Sequence, residues 1–209
     1  MIADKQTCPS LESRYDVNAE QVASFRDNGH IYLPGVASRD EVEFFRGPIN
    51  RAAEQHGQAD ALPLEQRDTY GKAFLQHMNL WTSDRAVAAF TLGKRFARLA
   101  AELIGCDGVR IYHDQALFKE PGGGFTPWHQ DQYYWPVSTE KTVTMWMPLI
   151  DLSEDMGILK FASRSHTKGY LGTLPISEES EEVFNKYIAE QGMEVSALDR
   201  ISAGDATFH

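Results

Sequence analysis

The residue types best suited to chemistry lie in His129-Gln130-Asp131, within the segment Thr-Pro-Trp-His-Gln-Asp-Gln-Tyr-Tyr-Trp-Pro at 126–136. In a β-strand, side chains two residues apart share a face, so His129 and Asp131 could bind one ion together. An imidazole and a carboxylate are two of the three ligands of the two-histidine, one-carboxylate triad that binds non-haem iron(II) and leaves positions open for reactants. The spacing fits a metal site, but His-x-Asp also occurs by chance in many chains.

The strands predicted around this motif would form the walls of a pocket. After Gly108 the residues alternate, and one face of the predicted strand carries Val109, Ile111, His113, Gln115 and Leu117. An imidazole and an amide among apolar neighbours are typical of a pocket wall. His129 to Tyr133 is the next predicted strand, followed by Thr142 to Met147 and Ile158 to Ala162. In the strand 142–147, Val143, Met145 and Met147 share one face, and Thr144 and Trp146 share the other.

Helical signals dominate the first half of the chain. Predicted helices cover Asn18 to Asn28 with Gly29 at the end, a second segment after the capping-box pattern Ser38–Glu41, and a third from Ser83-Asp84 to Gly105. A short strand is predicted at Ile31–Leu33 and a late helix at 177–191. Helices followed by strands without intervening helices indicate an antiparallel barrel or jelly roll buttressed by helices.

Composition limits the partners. The 209 residues suit one domain, and 20 Lys plus Arg against 30 Asp plus Glu give a formal charge of -10, which disfavours nucleic acid and anionic membranes as partners. Residues 1–9 lack the apolar core of a secretory signal, and no segment approaches the length of a membrane span. Two distant cysteines, Cys8 and Cys106, are expected to be ordinary thiols, so we expect a cytoplasmic protein.

Several segments, in their order and spacing, resemble the phytanoyl-CoA dioxygenase family of iron(II)- and 2-oxoglutarate-dependent oxygenases. The resemblance covers nearly all of the chain. The segments that carry it are 25–35, 113–122, the Trp-His-Gln-Asp run at 128–131, Trp-Met-Pro-Leu at 146–149, Ser-His-Thr-Lys-Gly at 165–169, and Gly-Asp-Ala-Thr-Phe-His at 204–209.

The resemblance implies a double-stranded β-helix, a form of jelly roll, in which His129 and Asp131 are iron(II) ligands and 2-oxoglutarate and O2 are cosubstrates. Candidate residues lining the 2-oxoglutarate site are His113, Gln115, Thr144 and Trp146. Two alternatives stay open: His113 and Gln115 could instead be a hydrogen-bonded core pair, and Trp146 could simply close the pocket floor as a large apolar ring. His166 is expected to be structural.

The sequence departs from the family pattern in two places. Asp155-Met156-Gly157 and Ala162-Ser163-Arg164 replace family turn residues, which affects local turns. In relatives, the Gly-Asp-x-x-Phe-His run precedes a third histidine ligand by a few residues, and an arginine that pairs with 2-oxoglutarate follows. The sequence ends at His209, so we expect a C-terminal truncation of one oxygenase-type domain spanning 1–209. His209 is an alternative third ligand, although the resemblance places it before that position.

These observations predict a dioxygenase that hydroxylates a small organic molecule. A non-catalytic small-molecule or metal-binding protein on the same fold is the alternative, and a cupin-type metal hydrolase or isomerase is a third. Aromatic residues suggest a mouth for an apolar or mixed substrate: Phe118, Phe125, Tyr133, Tyr134 and Trp135. Nothing in the sequence selects the substrate or the oligomeric state.

Overall fold

The computed structural model describes residues 7–56 and 62–209; residues 1–6, in the region where we expect no secretory signal, lie outside this range. The helices are α1 (Ala19–Asn28), α2 (Arg39–Gln55), α3 (Thr69–Ala73), α4 (Arg85–Thr91), α5 (Lys94–Ile104) and α6 (Glu178–Glu190). The strands are β1 (Ile31–Leu33), β2 (Leu75–Met78), β3 (Gln115–Phe118), β4 (Met145–Trp146), β5 (Leu152–Ser153), β6 (Lys160–Ala162), β7 (Val195–Ala197), β8 (Arg200–Ile201) and β9 (Ala206–Phe208).

The ends of the first two helices agree with the sequence signals. The Asn18 side chain accepts a hydrogen bond from the Gln21 backbone at 2.8 Å, and α1 ends at Gly29 with a φ of 80°. Helix α2 begins after Ser38, whose hydroxyl accepts from the Glu41 backbone at 3.2 Å, while the Glu41 carboxylate accepts from the Ser38 backbone. These reciprocal bonds satisfy amide groups that a helix leaves unpaired at its first turn.

The prediction of one continuous third helix was wrong, because the structure has two helices in that region. Helix α4 ends before Gly93, and α5 begins after it. Gly93 has non-helical backbone angles (φ -54°, ψ 122°), and a Cβ atom there would lie 3.1 Å from the Leu11 Cβ. The N-terminal segment packs into this break and accepts a hydrogen bond from the Arg95 backbone at the Leu11 carbonyl, 2.8 Å away.

All strand pairs in the described part of the chain are antiparallel, as predicted. Strand β9 lies between β1 and β4, and the other pairs are β2–β3, β5–β8 and β6–β7. The predicted strand 109–117 was too long, since only Gln115–Phe118 pairs. Its predicted inward face was also wrong there: Gln115 and Leu117 are exposed, whereas Ala116 and Phe118 pack against the core.

One apolar core joins the helices to the three-stranded sheet. Leu33 of β1, Phe45 of α2, Leu99 of α5 and Phe208 of β9 are at most 1% exposed. Val143, Met145 and Met147 pack against this core. Thr144 and Trp146 therefore lie on the opposite face of the sheet, as the alternating pattern predicted.

Two simpler expectations can also be compared with the structure. Cys8 and Cys106 are both free thiols, consistent with the predicted absence of a role in disulfides. Within residues 7–56 and 62–209, every helix is too short or too polar to cross a bilayer.

Candidate metal centre

The His129–Asp131 segment is not the predicted strand. The chain is irregular up to Gln130, and a short 3-10 helix covers Asp131–Tyr134. The backbone closes local turns here, with the Tyr133 N–H donating to the Gln130 carbonyl at 3.1 Å. The segment is therefore not paired with a neighbouring strand, and the rule that alternate side chains of a strand share a face does not apply to it. The two side chains nevertheless converge, and His129 Nε2 lies 3.3 Å from Asp131 Oδ1.

The orientation of the His129 ring is fixed by its other nitrogen. Nδ1 lies 2.9 Å from the carbonyl oxygen of Pro127. Because a carbonyl only accepts hydrogen bonds, Nδ1 is the protonated donor and neutral His129 has its lone pair on Nε2. This arrangement leaves Nε2, the nitrogen that faces Asp131, available to a metal ion, and a backbone carbonyl on the other ring nitrogen is what ligating histidines usually have.

The Asp131 carboxylate is held from several sides. Its Oδ1 faces His129, and its Oδ2 accepts a hydrogen bond from the Thr144 hydroxyl at 3.0 Å. His209 Nε2 lies 3.7 Å from the same Oδ2. The carboxylate therefore lies between two imidazoles, with a hydroxyl donor fixing one oxygen.

His209 is brought to the site by strand pairing. Its N–H donates to the Thr144 carbonyl at 3.1 Å, and its carbonyl accepts from the Thr144 N–H at 2.7 Å. The Phe161 ring packs on the imidazole with centroids 4.9 Å apart, and the buried Nδ1 has no hydrogen-bond partner among the described residues. Even so, the described residues contain no group of three or more His, Cys, Asp or Glu arranged to hold a metal ion.

The pKa values reflect both burial and charge. Burial lowers the pKa of His129, but the hydrogen bond and charge of Asp131 outweigh it, and the net pKa is raised. Burial raises the pKa of Asp131, but His129, His209 and Thr144 outweigh it, and the net pKa is lowered. Burial lowers the pKa of His209. Asp131 is thus an anion beside a neutral His209, which is the state in which both groups can ligate a cation.

A family model described as phytanoyl-CoA dioxygenase matches residues 25–209, which includes every residue of this centre. The chain belongs to the phytanoyl-CoA dioxygenase family. The family prediction made from the sequence segments is thereby confirmed.

Solved structures share the fold of this phytanoyl-CoA dioxygenase family member. The carbocyclase SnoK from nogalamycin biosynthesis, described as non-heme and alpha ketoglutarate dependent, matches with a TM-score of 0.76 and 22% identity, covering 93% of this chain and 74% of SnoK. EctD from S. alaskensis, crystallised with 2-oxoglutarate and 5-hydroxyectoine, matches with a TM-score of 0.72 and 23% identity, covering 96% of this chain and 71% of EctD.

A third structure extends the same result. EvdO2 from Micromonospora carbonacea var. aurantiaca, complexed with 2-oxoglutarate, matches with a TM-score of 0.61 and 17% identity, covering 95% of this chain and 82% of EvdO2. At these identities the comparisons establish a common fold, which supports the jelly-roll class predicted from the sequence.

Three other predicted site residues, His113, Gln115 and Trp146, have contacts of their own. The Gln115 amide nitrogen lies 3.0 Å from His113 Nε2, so the two side chains bond to each other, although exposed Gln115 is not a core residue. Within residues 7–56 and 62–209, no hydrogen bond or ion pair links either of them to His129 or Asp131. Trp146 pairs with Thr207 across β4 and β9 and is half-buried.

Some contacts at this centre had no signal in the sequence. The Trp128 backbone and indole nitrogens donate to Glu181 and Asn185 of α6, at 2.8 Å and 2.9 Å. These partners lie 53 and 57 residues away in the chain, and a helix-surface Glu and Asn have no distinctive spacing. His166 has the structural role expected, since its Nε2 lies 3.1 Å from the Arg26 carbonyl.

Proposed function

We propose that this protein is an iron(II)- and 2-oxoglutarate-dependent dioxygenase that hydroxylates a small organic molecule. The observation that carries the proposal is the convergence of His129 Nε2 and Asp131 Oδ1 to 3.3 Å in a member of the phytanoyl-CoA dioxygenase family. Relatives of the same fold are described as carbocyclase and epimerase, so hydroxylation is the more specific part of the proposal.

The donor set fits a small divalent transition ion. An imidazole nitrogen and a carboxylate oxygen are suitable ligands for non-haem iron(II), and their separation is close to that of adjacent positions in a coordination sphere. Bound iron(II) would supply the oxygen chemistry that no side chain of the protein can perform. His129 and Asp131 would hold the ion, while Pro127 and Thr144 would keep those two side chains in place.

The third ligand is proposed to be a histidine beyond residue 209, as the family pattern implies, with His209 as the alternative. The position of His209 Nε2, 3.7 Å from Asp131 Oδ2, supports a place for His209 beside the ion. His113, Gln115, Thr144 and Trp146 are proposed to line the 2-oxoglutarate site. Of these, Thr144 has the best support, because its hydroxyl is already bonded to Asp131.

The decisive experiment measures succinate and carbon dioxide release from 2-oxoglutarate with and without added iron(II). We expect release that depends on iron(II) and is abolished by Asp131→Ala, since removal of the carboxylate removes a ligand. Asp199→Ala, at an exposed carboxylate on the β7–β8 turn, is the matched control and should leave turnover unchanged. Turnover retained by Asp131→Ala would count against the assignment of this site.

A non-catalytic small-molecule or metal-binding protein is the alternative. The observation that favours it is the lack, among the described residues, of a complete group of three ligands. In that case the protein would bind iron(II) or 2-oxoglutarate without releasing succinate.

Cytoplasmic localisation is proposed on the basis of the cysteine content, and cell fractionation tests it.

A further inference from the structure

We propose that the connection between β6 and β7, residues 163–194 and here called the β6–β7 excursion, positions the segment 128–135 that carries His129 and Asp131. Within it, Glu181 and Asn185 of α6 are positioning residues that act through Trp128. The inference rests on the proposed function, because it concerns how His129 and Asp131 are held for an ion. Neither Glu181 nor Asn185 belongs to the ligand set.

The segment that carries the ligands has little backbone support of its own. It pairs with no strand, and its short-range bonds close turns within residues 130–135. A loop of this kind ordinarily samples several conformations, which weakens a metal site because ordering the ligands then opposes binding. Contacts from elsewhere in the chain must therefore fix it.

Helix α6 holds Trp128, the residue immediately before His129, at two points. Glu181 Oε2 accepts from the Trp128 backbone N–H at 2.8 Å, and Asn185 Oδ1 accepts from the indole N–H at 2.9 Å. The Asn185 amide also donates to Glu181 Oε1 at 2.8 Å. The three residues form a closed ring of hydrogen bonds. Both the backbone and the ring of Trp128 are thereby fixed relative to the helix.

Gln130, between the two ligands, is held by the loop that precedes α6. Its amide nitrogen donates to the Gly169 carbonyl at 3.0 Å, and its amide oxygen accepts from the Leu171 N–H at 2.8 Å. The side chain pairs with backbone much as another strand would. Further along, the Tyr134 hydroxyl accepts from the Ile176 N–H at 2.8 Å. The excursion therefore contacts the segment before, between and after the two ligands.

Helix α6 is itself anchored, so it can act as a support. Ser177 caps its N-terminus, and its inner face buries Ser180 and Phe184, which are 0% and 7% exposed. Glu181 and Asn185 lie four residues apart and project along the same side of the helix. A rigid helix that fixes Trp128 limits the positions open to the neighbouring His129 backbone. Loss of a hydrogen bond to a ligating side chain typically weakens metal binding 10–100-fold, and because these contacts lie one residue further away we expect the lower end of that range.

The test uses Co(II) as a spectroscopic substitute for iron(II) and titrates it into the complete protein while the visible absorbance is recorded. Glu181→Ala and Asn185→Ala should each raise the Kd for Co(II) about tenfold. Glu181→Gln keeps one acceptor oxygen for the Trp128 N–H but turns an amide NH2 toward the Asn185 amide, so it should restore only part of the lost affinity. Glu182→Ala, at an exposed position on the same helix, is the matched control and should change neither Kd nor spectrum.

Urea unfolding of the metal-free proteins separates positioning from general destabilisation. If Glu181→Ala does not fold, a double-mutant cycle of Trp128→Phe and Asn185→Ala tests the indole contact alone. Since either substitution removes that hydrogen bond, the double variant should bind Co(II) no more weakly than Asn185→Ala. Folded variants that bind Co(II) with the wild-type Kd would overturn the positioning role. A wild-type protein that binds no Co(II) and releases no succinate would instead overturn the proposed function.

Discussion

At the scale of single residues, the proposed metal centre depends most on Asp131. Its carboxylate is placed between His129 and His209, and the Thr144 hydroxyl donates to Oδ2 at 3.0 Å. The alternating pattern placed Thr144 correctly on the face of its strand that points away from the apolar core. It could not show that the hydroxyl would contact the carboxylate, because Asp131 lies in an irregular segment whose path the pattern does not define.

Thr144→Val should weaken metal binding without unfolding the protein. Valine keeps the shape of threonine but cannot donate, so one Asp131 oxygen loses the bond that orients it. We expect the Kd for Co(II) to rise about tenfold, measured by titration of the metal-free protein. Thr144→Ser retains the hydroxyl and is the control. Equal affinities for the valine and serine variants would mean that the hydroxyl does not orient the carboxylate.

At the scale of elements, the end of α1 is docked against the turn at 164–168. His166 lies on Gly29, the Arg164 N–H donates to the Asn28 carbonyl at 2.8 Å, and its guanidinium pairs with Asp27 at 2.6 Å. A Cβ atom at Gly29 would overlap the His166 ring. The sequence indicated the helix stop at Gly29, but the partner that requires a glycine there is 137 residues away.

Gly29→Ala should destabilise the protein more than Gly35→Ala. Both glycines have positive φ values, 80° and 63°, so both alanines incur about 1 kcal/mol of backbone strain. Gly35 has open space around it, whereas Gly29 also forces His166 to move. We expect a loss of roughly 2–3 kcal/mol for Gly29→Ala in urea unfolding. Equal losses at the two positions would show that His166 moves at no cost.

The capping residue Glu41 also joins α2 to α5. Its carboxylate accepts from both terminal nitrogens of Arg95, at 2.8 Å and 2.9 Å, and both side chains are largely buried, with exposures of 14% and 10%. The capping box was predictable from four consecutive residues. The ion pair was not, since Arg95 is 54 residues away on a helix that looked continuous with α4.

Glu41→Gln should cost about 3 kcal/mol of stability, because it leaves Arg95 as an uncompensated buried charge.

The contribution of the Glu41–Arg95 ion pair to the stability of the wild-type protein should also depend on pH. Burial raises the pKa of Glu41, but Arg95 and the hydrogen bonds from Ser38 together outweigh it, and the net pKa is below its ordinary value. The contribution is therefore complete above the ordinary pKa and is lost as pH falls through the folded-state pKa. Urea midpoints from pH 7 to pH 3 measure it, with exposed Glu43→Gln as control.

At the scale of the whole molecule, Asp205 joins the last strands of the chain to β1 and the turn that follows it. It accepts hydrogen bonds from the Tyr32 hydroxyl at 2.7 Å, the Gly35 N–H at 2.8 Å and the Ser202 N–H at 2.9 Å. Burial and the Asp205 carboxylate raise the pKa of Tyr32 to about 12, so the phenol stays a donor. Asp205, in the family segment at 204–209, therefore has a structural role, because it holds the turn between β1 and α2.

Asp205→Ala should lower the free energy of unfolding by about 3 kcal/mol, roughly 1 kcal/mol for each of the three bonds. Since one core joins the helices to the sheet, near- and far-ultraviolet circular dichroism should still report the same transition. Asp199→Ala serves again as the exposed control. A change below about 0.5 kcal/mol would contradict the assigned role.

The sequence predicted the parts of this molecule that depend on neighbours in the chain. The cap at Ser38, the helix stop at Gly29 and the two faces of 142–147 all follow from local rules, while His129 and Asp131 as ligands stay a prediction. The sequence predictions were wrong at the break at Gly93 and at the expected strand 129–133, where tertiary contacts decide, and no local rule placed His209 beside Asp131. Those features depend on Leu11, on the β6–β7 excursion and on pairing with Thr144, none of which is close in sequence.

The centre is assembled from distant parts of the polypeptide, and this affects when it can form. Thr144 follows Asp131 by 13 residues, but Glu181 follows Trp128 by 53. A nascent chain that has released the histidine and the aspartate from the ribosome still lacks the helix that orders them. If α6 positions the ligands as proposed, tight ion binding would wait until synthesis has passed α6, and the emerging polypeptide would hold copper or zinc, the cations that bind such ligands most avidly, only weakly before then.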